Sequence, residues 1–207
     1  PMCTRNVTQS YDTCMSETSR GPDWDRLFET AAGQEGYFTT GQAAEAGFST
    51  QLLYKHIRGG RVRRAQRGIY RLVHFVAGEH EELVAVWLWS AQAGVFSHHT
   101  ALSLHGLSDV LPGQTHLTLP AASRQRRLRV PADVVLHHAD VPPNERSWFG
   151  PVPATSVGRT LRDCAAVRLA PDLLRDAAQQ ALRRGLVIRN ELGEVAAFLE
   201  PFGGLAS

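Results

Sequence analysis

Residues 36–72 read GYFTTGQAAEAGFSTQLLYKHIRGGRVRRAQRGIYRL, and this stretch decides the fold of the N-terminal part of the chain. Its pattern predicts two short helices that are joined by a tight turn and followed by an arginine-rich hairpin. This is the order of a winged helix-turn-helix, whose second helix enters the major groove of DNA. The stretch therefore predicts a DNA-binding unit.

Local signals mark the ends of both helices. Thr39 is followed three residues later by Gln42, which fits a capping box at the start of the first helix. Gly47 can adopt the left-handed conformation that ends a helix. Ser49 or Thr50 can then cap the second helix.

The second helix has an apolar face and a polar face. Leu53 and Ile57 lie four residues apart and form an inward stripe with Leu52. The polar face carries the predicted base-reading residues Gln51, Tyr54, Lys55 and Arg58. Glutamine, lysine and arginine can all read base edges in the major groove.

The predicted wing covers residues 61–72 and turns at residues 66–68. Its predicted DNA-contacting residues are Arg61, Arg63, Arg64, Arg67 and Arg71. No aspartate or glutamate occurs between Glu45 and Glu79. A run of one charge sign favours phosphate contacts, and a solvated basic hairpin is the alternative.

Composition restricts the class of protein. The 207 residues carry a net charge of only +2, so the basic character is local. The three cysteines are scattered without zinc-site spacing, which predicts a reducing cytoplasm. No apolar run reaches membrane-spanning length and no secretion signal is evident, so we expect no membrane partner.

The chain divides by composition into a flexible leader over residues 1–22, a winged helix-turn-helix domain over 23–75 and a C-terminal domain over 79–207. Helices are predicted at residues 24–34, 79–92, 97–104, 156–167, 172–184 and 190–199. Strands are predicted at 115–119 and 134–138, with an extended piece at 148–153. The fold class is therefore α+β, with a small mixed α/β C-terminal domain.

Histidine is concentrated in the C-terminal half, at His98, His99, His105, His116, His137 and His138. A metal site is one interpretation. However, His137 and His138 are adjacent on a predicted strand and would point to opposite faces. No cysteine joins them and no HExxH pattern occurs, so we expect polar surface or hydrogen-bonded interior histidines and no metal.

Two arginine clusters have no assigned role. Arginines at 124, 126, 127 and 129 lie between the predicted strands, where they can touch phosphate or an acidic partner or remain solvated. Arg159, Arg162 and Asp163 lie at helical spacing, which fits an ion pair. They are also the candidates for catalysis, with Asp163 and a histidine as an acid–base pair. No phosphate loop, nucleophile elbow or kinase signature occurs. The sequence therefore contains no recognised catalytic motif that would decide whether the protein is an enzyme.

Over residues 36–166 the chain resembles the AbiEi family, the antitoxins of type IV toxin–antitoxin systems. The resemblance rests on residues 36–72 and on EHEELVAVWLWS (79–90), VFSHHTALSLHGLSDVLP (95–112), THLTLP (115–120) and VPATSVGRTLRDCAA (152–166). It implies a winged-helix domain that represses its own operon by binding operator DNA. It also implies a C-terminal antitoxin domain and a toxin partner of the nucleotidyltransferase type.

Type IV antagonism implies no stable complex between antitoxin and toxin, and two mechanisms then remain. The antitoxin can counteract the toxin at its target or operon, without a cofactor. Alternatively, it is an atypical transferase that modifies a toxin hydroxyl, for instance by phosphorylation, which repels a nucleotide substrate. The transferase would need a nucleotide and a divalent metal. A plain transcriptional regulator is the third possibility.

Overall fold

A computed structural model describes residues 21–108 and 113–205 of the chain. The predicted leader over residues 1–22 lies almost entirely outside the described residues. The fold is α+β, as predicted, with a winged helix-turn-helix followed by a mixed α/β part.

The N-terminal part has the element order of a winged helix. Its elements are α1 Trp24–Ala32, β1 Tyr37–Thr39, α2 Thr40–Glu45, α3 Thr50–Arg58, β2 Val62–Gln66 and β3 Ile69–Leu72. The strands form an antiparallel sheet in the order β1-β3-β2. The hairpin of β2 and β3 is the wing, and β3 is the central strand.

The predicted caps form. The backbone N–H of Gln42 donates to Thr39 Oγ1 at 3.2 Å, and Gln42 Oε1 accepts from the backbone N–H of Thr39 at 2.8 Å. Gly47 has a φ of +82°, which favours glycine after α2. Ser49 caps α3, because its Oγ accepts from the N–H of Leu52 at 3.3 Å.

The remainder contains a second sheet and a helical layer. Its elements are α4 Glu81–Trp89, β4 Val95–Phe96, α5 His98–Leu104, β5 Thr115–Leu119, β6 Val134–His138, β7 Arg146–Phe149, β8 Val152–Thr155, α6 Val157–Ala166, α7 Pro171–Arg183 and α8 Gly193–Leu199. The strand order is β6-β5-β4-β8-β7. Strands β5 and β6 are parallel, as are β4 and β8. The extended piece predicted at 148–153 is the hairpin of β7 and β8.

Apolar packing links the winged unit to the second sheet. Tyr37 of β1 and Ile69 of β3 belong to the same buried cluster as Val84 of α4 and Phe96 of β4. A separate cluster joins α6, α7 and α8. The predicted division into domains at residues 75–79 remains a prediction. Helix α4, which follows this segment, packs against β1 and β3 of the winged unit and against β8 of the second sheet.

The described ranges contain no helix that is long and apolar enough to cross a membrane.

Candidate nucleic-acid interface and histidine pocket

Helix α3 exposes the four residues that the sequence predicted to read DNA bases. They are Gln51, Tyr54, Lys55 and Arg58. The opposite face holds Leu53, which is 1% exposed, against the core of the winged unit. Tyr54 is 52% exposed although it is a large aromatic residue. The packing of α3 therefore turns this polar face towards solvent.

The wing exposes four of its five predicted arginines, namely Arg61, Arg63, Arg64 and Arg67. Their neighbour Val62 is buried, so β2 turns its apolar side to the core. Arg63 Nη2 lies 4.0 Å from Glu81 Oε1 in a long ion pair, and Arg64 Nε donates to the Gln66 carbonyl at 3.3 Å. We call these four residues together with the exposed face of α3 the basic face.

Arg71, the fifth predicted arginine, is not part of the basic face. Its side chain is only 7% exposed, and its Nη2 lies 2.9 Å from Glu81 Oε2 in an ion pair. Arg71 also donates to the carbonyls of Leu72 and Phe75 at 3.4 and 3.2 Å. The physical reason is that β3 is the central strand and is buried along its whole length. The prediction that Arg71 faces DNA is therefore corrected, because its guanidinium is occupied inside the protein.

The candidates Arg159, Arg162 and Asp163 meet in an ion-pair network on α6. Arg159 Nε donates to Asp163 Oδ1 at 2.8 Å, and Arg159 Nη1 donates to Glu145 Oε2 at 2.5 Å. Arg162 pairs with the other oxygen of Glu145. Although burial raises the pKa of Glu145, its two arginine partners hold the pKa below its ordinary value. The network ties α6 to the turn before β7, as the ion-pair interpretation expects.

One oxygen of Asp163 is left out of this network. Asp163 Oδ2 is buried and has no hydrogen-bond partner among the described residues, whereas Oδ1 is held by Arg159. Burial raises the pKa of Asp163, against the opposing effect of Arg159 and Arg162. Asp163 therefore keeps an acceptor free beside the adjoining pocket.

Three histidines from three elements converge next to Asp163. His98 begins α5, His116 lies on β5 and His137 lies on β6, and one ring nitrogen from each lies within 4.8 Å of the others. His116 Nδ1 and His137 Nε2 are 3.0 Å apart. The rings of His98 and His137 stack with centroids 3.6 Å apart. We call these three residues the histidine cluster.

Burial keeps the histidine cluster uncharged at neutral pH. Burial, reinforced by repulsion from the neighbouring histidines, lowers the pKa of His98 to about 3 and the pKa of His116 to about 4. The pKa of His137 is also lowered by burial, while Asp163 acts in the opposite direction. Neutral imidazoles retain a lone pair that can accept a proton or bind a metal ion.

Two members of the histidine cluster, His98 and His137, line a pocket of about 360 Å³. His98, His137, Arg124, Arg159 and Asp163 are among its lining residues. Arg124 comes from the arginine-rich segment between β5 and β6, whose four arginines are all exposed. The pocket thus combines imidazole, guanidinium and carboxylate groups.

The three histidines were named from the sequence, but the metal interpretation was set aside because it was judged from the adjacent pair His137 and His138 and from short motifs. The parallel pairing of β5 with β6 places Thr118 opposite His137, so His116 and His137 lie on the same sheet face. His98 then reaches them from the start of α5. If parallel pairing of β5 with β6 had been predicted from the sequence, His116 and His137 would have been expected on the same sheet face.

The comparisons with known proteins concern mainly the winged unit. Residues 25–73 match the family model described as "Transcriptional regulator, AbiEi antitoxin". No curated protein matches the chain. Among solved structures, the crystal structure of the RV2827C protein from Mycobacterium tuberculosis is similar with a TM-score of 0.46 and 14% identity, over 90% of this chain and 79% of that one.

Proposed function

We propose, from the match of residues 25–73 to the family model of AbiEi antitoxin transcriptional regulators, that this protein is an antitoxin that represses its own operon. The basic face is the observation that carries the DNA-binding part of this proposal. It consists of exposed polar side chains on α3 and exposed guanidinium groups on the wing, and α3 packs against strand β2 of the wing. Helix α3 enters the major groove, and the wing holds the neighbouring phosphates.

The two parts of the basic face do different work. Gln51, Lys55 and Arg58 select sequence through base edges. Arg61, Arg63, Arg64 and Arg67 hold phosphates and release counterions, which supplies affinity for any duplex. Because Arg71 is held by Glu81, it positions the wing without touching DNA.

The proposed toxin is of the nucleotidyltransferase type, and neutralisation needs no stable complex with it. We assign this activity to the part of the chain after residue 79, because the basic face is used by DNA. The remaining half has its own sheet and helical cluster. On this account the protein acts in the cytoplasm, where the operator and the toxin are found.

Growth rescue tests the proposal directly. The neighbouring gene is expressed alone, with the wild-type chain, and with a full-length variant carrying Arg63→Ala, Arg64→Ala and Arg67→Ala. We expect growth arrest from the neighbouring gene alone and rescue by both forms of this chain. Rescue by the wild type but not by a stably expressed wing variant would show that neutralisation requires DNA. If the wild type gives no rescue, the antitoxin function is wrong, and a plain regulator remains.

A transferase acting on the toxin is the second candidate function. The observation that favours it is the free Asp163 Oδ2 at a pocket that Arg124 and Arg159 also line. In this reaction the terminal phosphoryl group of a nucleoside triphosphate moves to a toxin hydroxyl, which loses its proton, and the diphosphate leaves. A divalent metal ion accompanies the nucleotide.

Mass spectrometry separates the two mechanisms. Purified toxin is incubated with the full chain, a nucleoside triphosphate and Mg²⁺, and then weighed. A mass increase that requires this chain supports the transferase. An Asp163→Asn variant that retains the full increase would exclude Asp163 from that chemistry, and an unchanged toxin mass would exclude the transferase itself.

A further inference from the structure

We propose that His98, His116 and His137 form a binding site for a divalent transition-metal ion of the Zn²⁺ class. The site lies where the start of α5 meets β5 and β6, outside the basic face. Imidazole nitrogens are preferred ligands of Zn²⁺, and three histidines are sufficient protein ligands when water takes the fourth position.

The distances fit a small ion. A tetrahedral Zn²⁺ with Zn–N bonds of about 2.0–2.1 Å holds its ligand nitrogens roughly 3.3–3.4 Å apart. The candidate nitrogens already lie within 4.8 Å of one another, and those of His116 and His137 are 3.0 Å apart. Binding therefore requires the stacked rings to turn about their side-chain torsions, whereas the backbone can stay in place.

A supporting shell orients His98. Its Nδ1 lies 2.8 Å from Ser97 Oγ, which accepts a hydrogen bond from Thr118 Oγ1 at 2.7 Å. This contact leaves Nε2 of His98 for the ion. Histidine ligands commonly have their second nitrogen held by an outer partner in this way. His98 also has a φ of +52°, a left-handed backbone conformation that is uncommon for residues other than glycine.

The surrounding charges suit a cation with bound water. Arg124 and Arg159 both line the pocket and would repel a cation, but Arg124 is exposed to solvent, and Arg159 is paired with both Glu145 and Asp163. Asp163 Oδ2 is buried without a partner among the described residues and borders the same pocket as His98 and His137. It can accept a hydrogen bond from water at the fourth position. The pocket gives that position a route to solvent.

The first test measures the untagged full chain after chelation and dialysis, titrated with Zn²⁺ alone. We expect a single equivalent to bind, and X-ray absorption at the zinc edge to report imidazole scattering. Sulfur scattering would place the ion at cysteines instead and would overturn the proposal. Failure of the well-folded wild type to bind an equivalent would overturn it too.

Matched variants identify the ligands. His137→Ala should weaken Zn²⁺ binding by more than the roughly 10–100-fold that loss of an outer-shell partner causes. His138→Ala, at the next position on β6, should bind like the wild type. Circular dichroism checks that both variants fold. An equal loss of Zn²⁺ affinity in the two variants, or no loss in a folded His137→Ala variant, contradicts the assigned ligand set. If His137→Ala does not fold, the zinc-edge spectrum of the wild type decides whether histidines bind the ion.

Discussion

Arg71 Nη2 and Glu81 Oε2 lie 2.9 Å apart, and this ion pair joins the central strand of the wing sheet to the first turn of α4. Its geometry is that of a close charge contact without a hydrogen bond, since Glu81 Oε2 has no hydrogen-bond partner in the described part of the chain. The Arg71 guanidinium also lies 5.6 Å from the centre of the Tyr37 ring. The winged unit and α4 are therefore connected by both charge and apolar packing.

Replacing Glu81 with glutamine should destabilise the full chain. The buried Arg71 would lose its counter-charge but keep its two backbone acceptors, so we expect a loss of about 1–3 kcal/mol in the free energy of unfolding. Chemical denaturation measures this change. The control is Glu82→Gln, which removes an exposed carboxylate from the same helix turn and should change stability by less than about 0.5 kcal/mol. Equal effects would mean that the ion pair contributes nothing beyond the helix dipole.

Single alanine substitutions at Gln51, Lys55 and Arg58 should change which DNA sequence is preferred. Each good base contact contributes about 1–3 kcal/mol of discrimination, and competition between promoter fragments with single base-pair changes measures it. Arg61→Ala is the control, because a phosphate contact should weaken all fragments alike. If all three α3 variants keep the wild-type preference, α3 is not the recognition helix.

The protein should lose stability as the pH falls below the ordinary histidine pKa of 6.5, in part through His105. Burial lowers the pKa of His105, although the hydrogen bond from its Nε2 to the Thr155 carbonyl, at 2.8 Å, acts in the opposite direction. A lowered pKa in the folded state means that the unfolded chain binds the proton more readily. The contribution of His105 is therefore complete above pH 6.5 and is lost progressively as the pH falls below it.

His105→Gln keeps a donor for Thr155 but cannot titrate, so its unfolding free energy should depend less steeply on pH below 6.5. Denaturation of the full chain at several pH values measures the slope. The exposed His74→Gln serves as the control. An unchanged slope in His105→Gln would show that this residue does not titrate on unfolding.

Local signals in the sequence predicted most of the fold. The capping box of Thr39 and Gln42 acts within one helical turn, so it could be recognised without tertiary information. The bounds of β5 and β6 follow from short apolar runs and match the prediction. The two-residue strand β4 was not predicted, because its pairing with β5 and β8 defines it more than its composition does.

The side-chain environments were harder to predict, because they depend on contacts between distant segments. Arg71 resembles the other wing arginines in sequence, and only the position of β3 between β1 and β2 explains its burial. The partner Glu81 lies beyond the acid-free stretch that suggested a uniformly basic surface. The histidine cluster likewise requires the parallel pairing of β5 and β6.

The salt dependence of binding to the protein's own promoter tests the central claim most directly. We compare the full-length wild type with the triple variant Arg63→Ala, Arg64→Ala and Arg67→Ala. The matched control removes the same number of positive charges at Arg124, Arg126 and Arg127. Loss of phosphate contacts should reduce the slope of log affinity against log salt by about 0.9 for each contact removed. We predict weaker binding and a flatter slope for the wing variant only; wild-type affinity and slope in a folded wing variant would contradict the account.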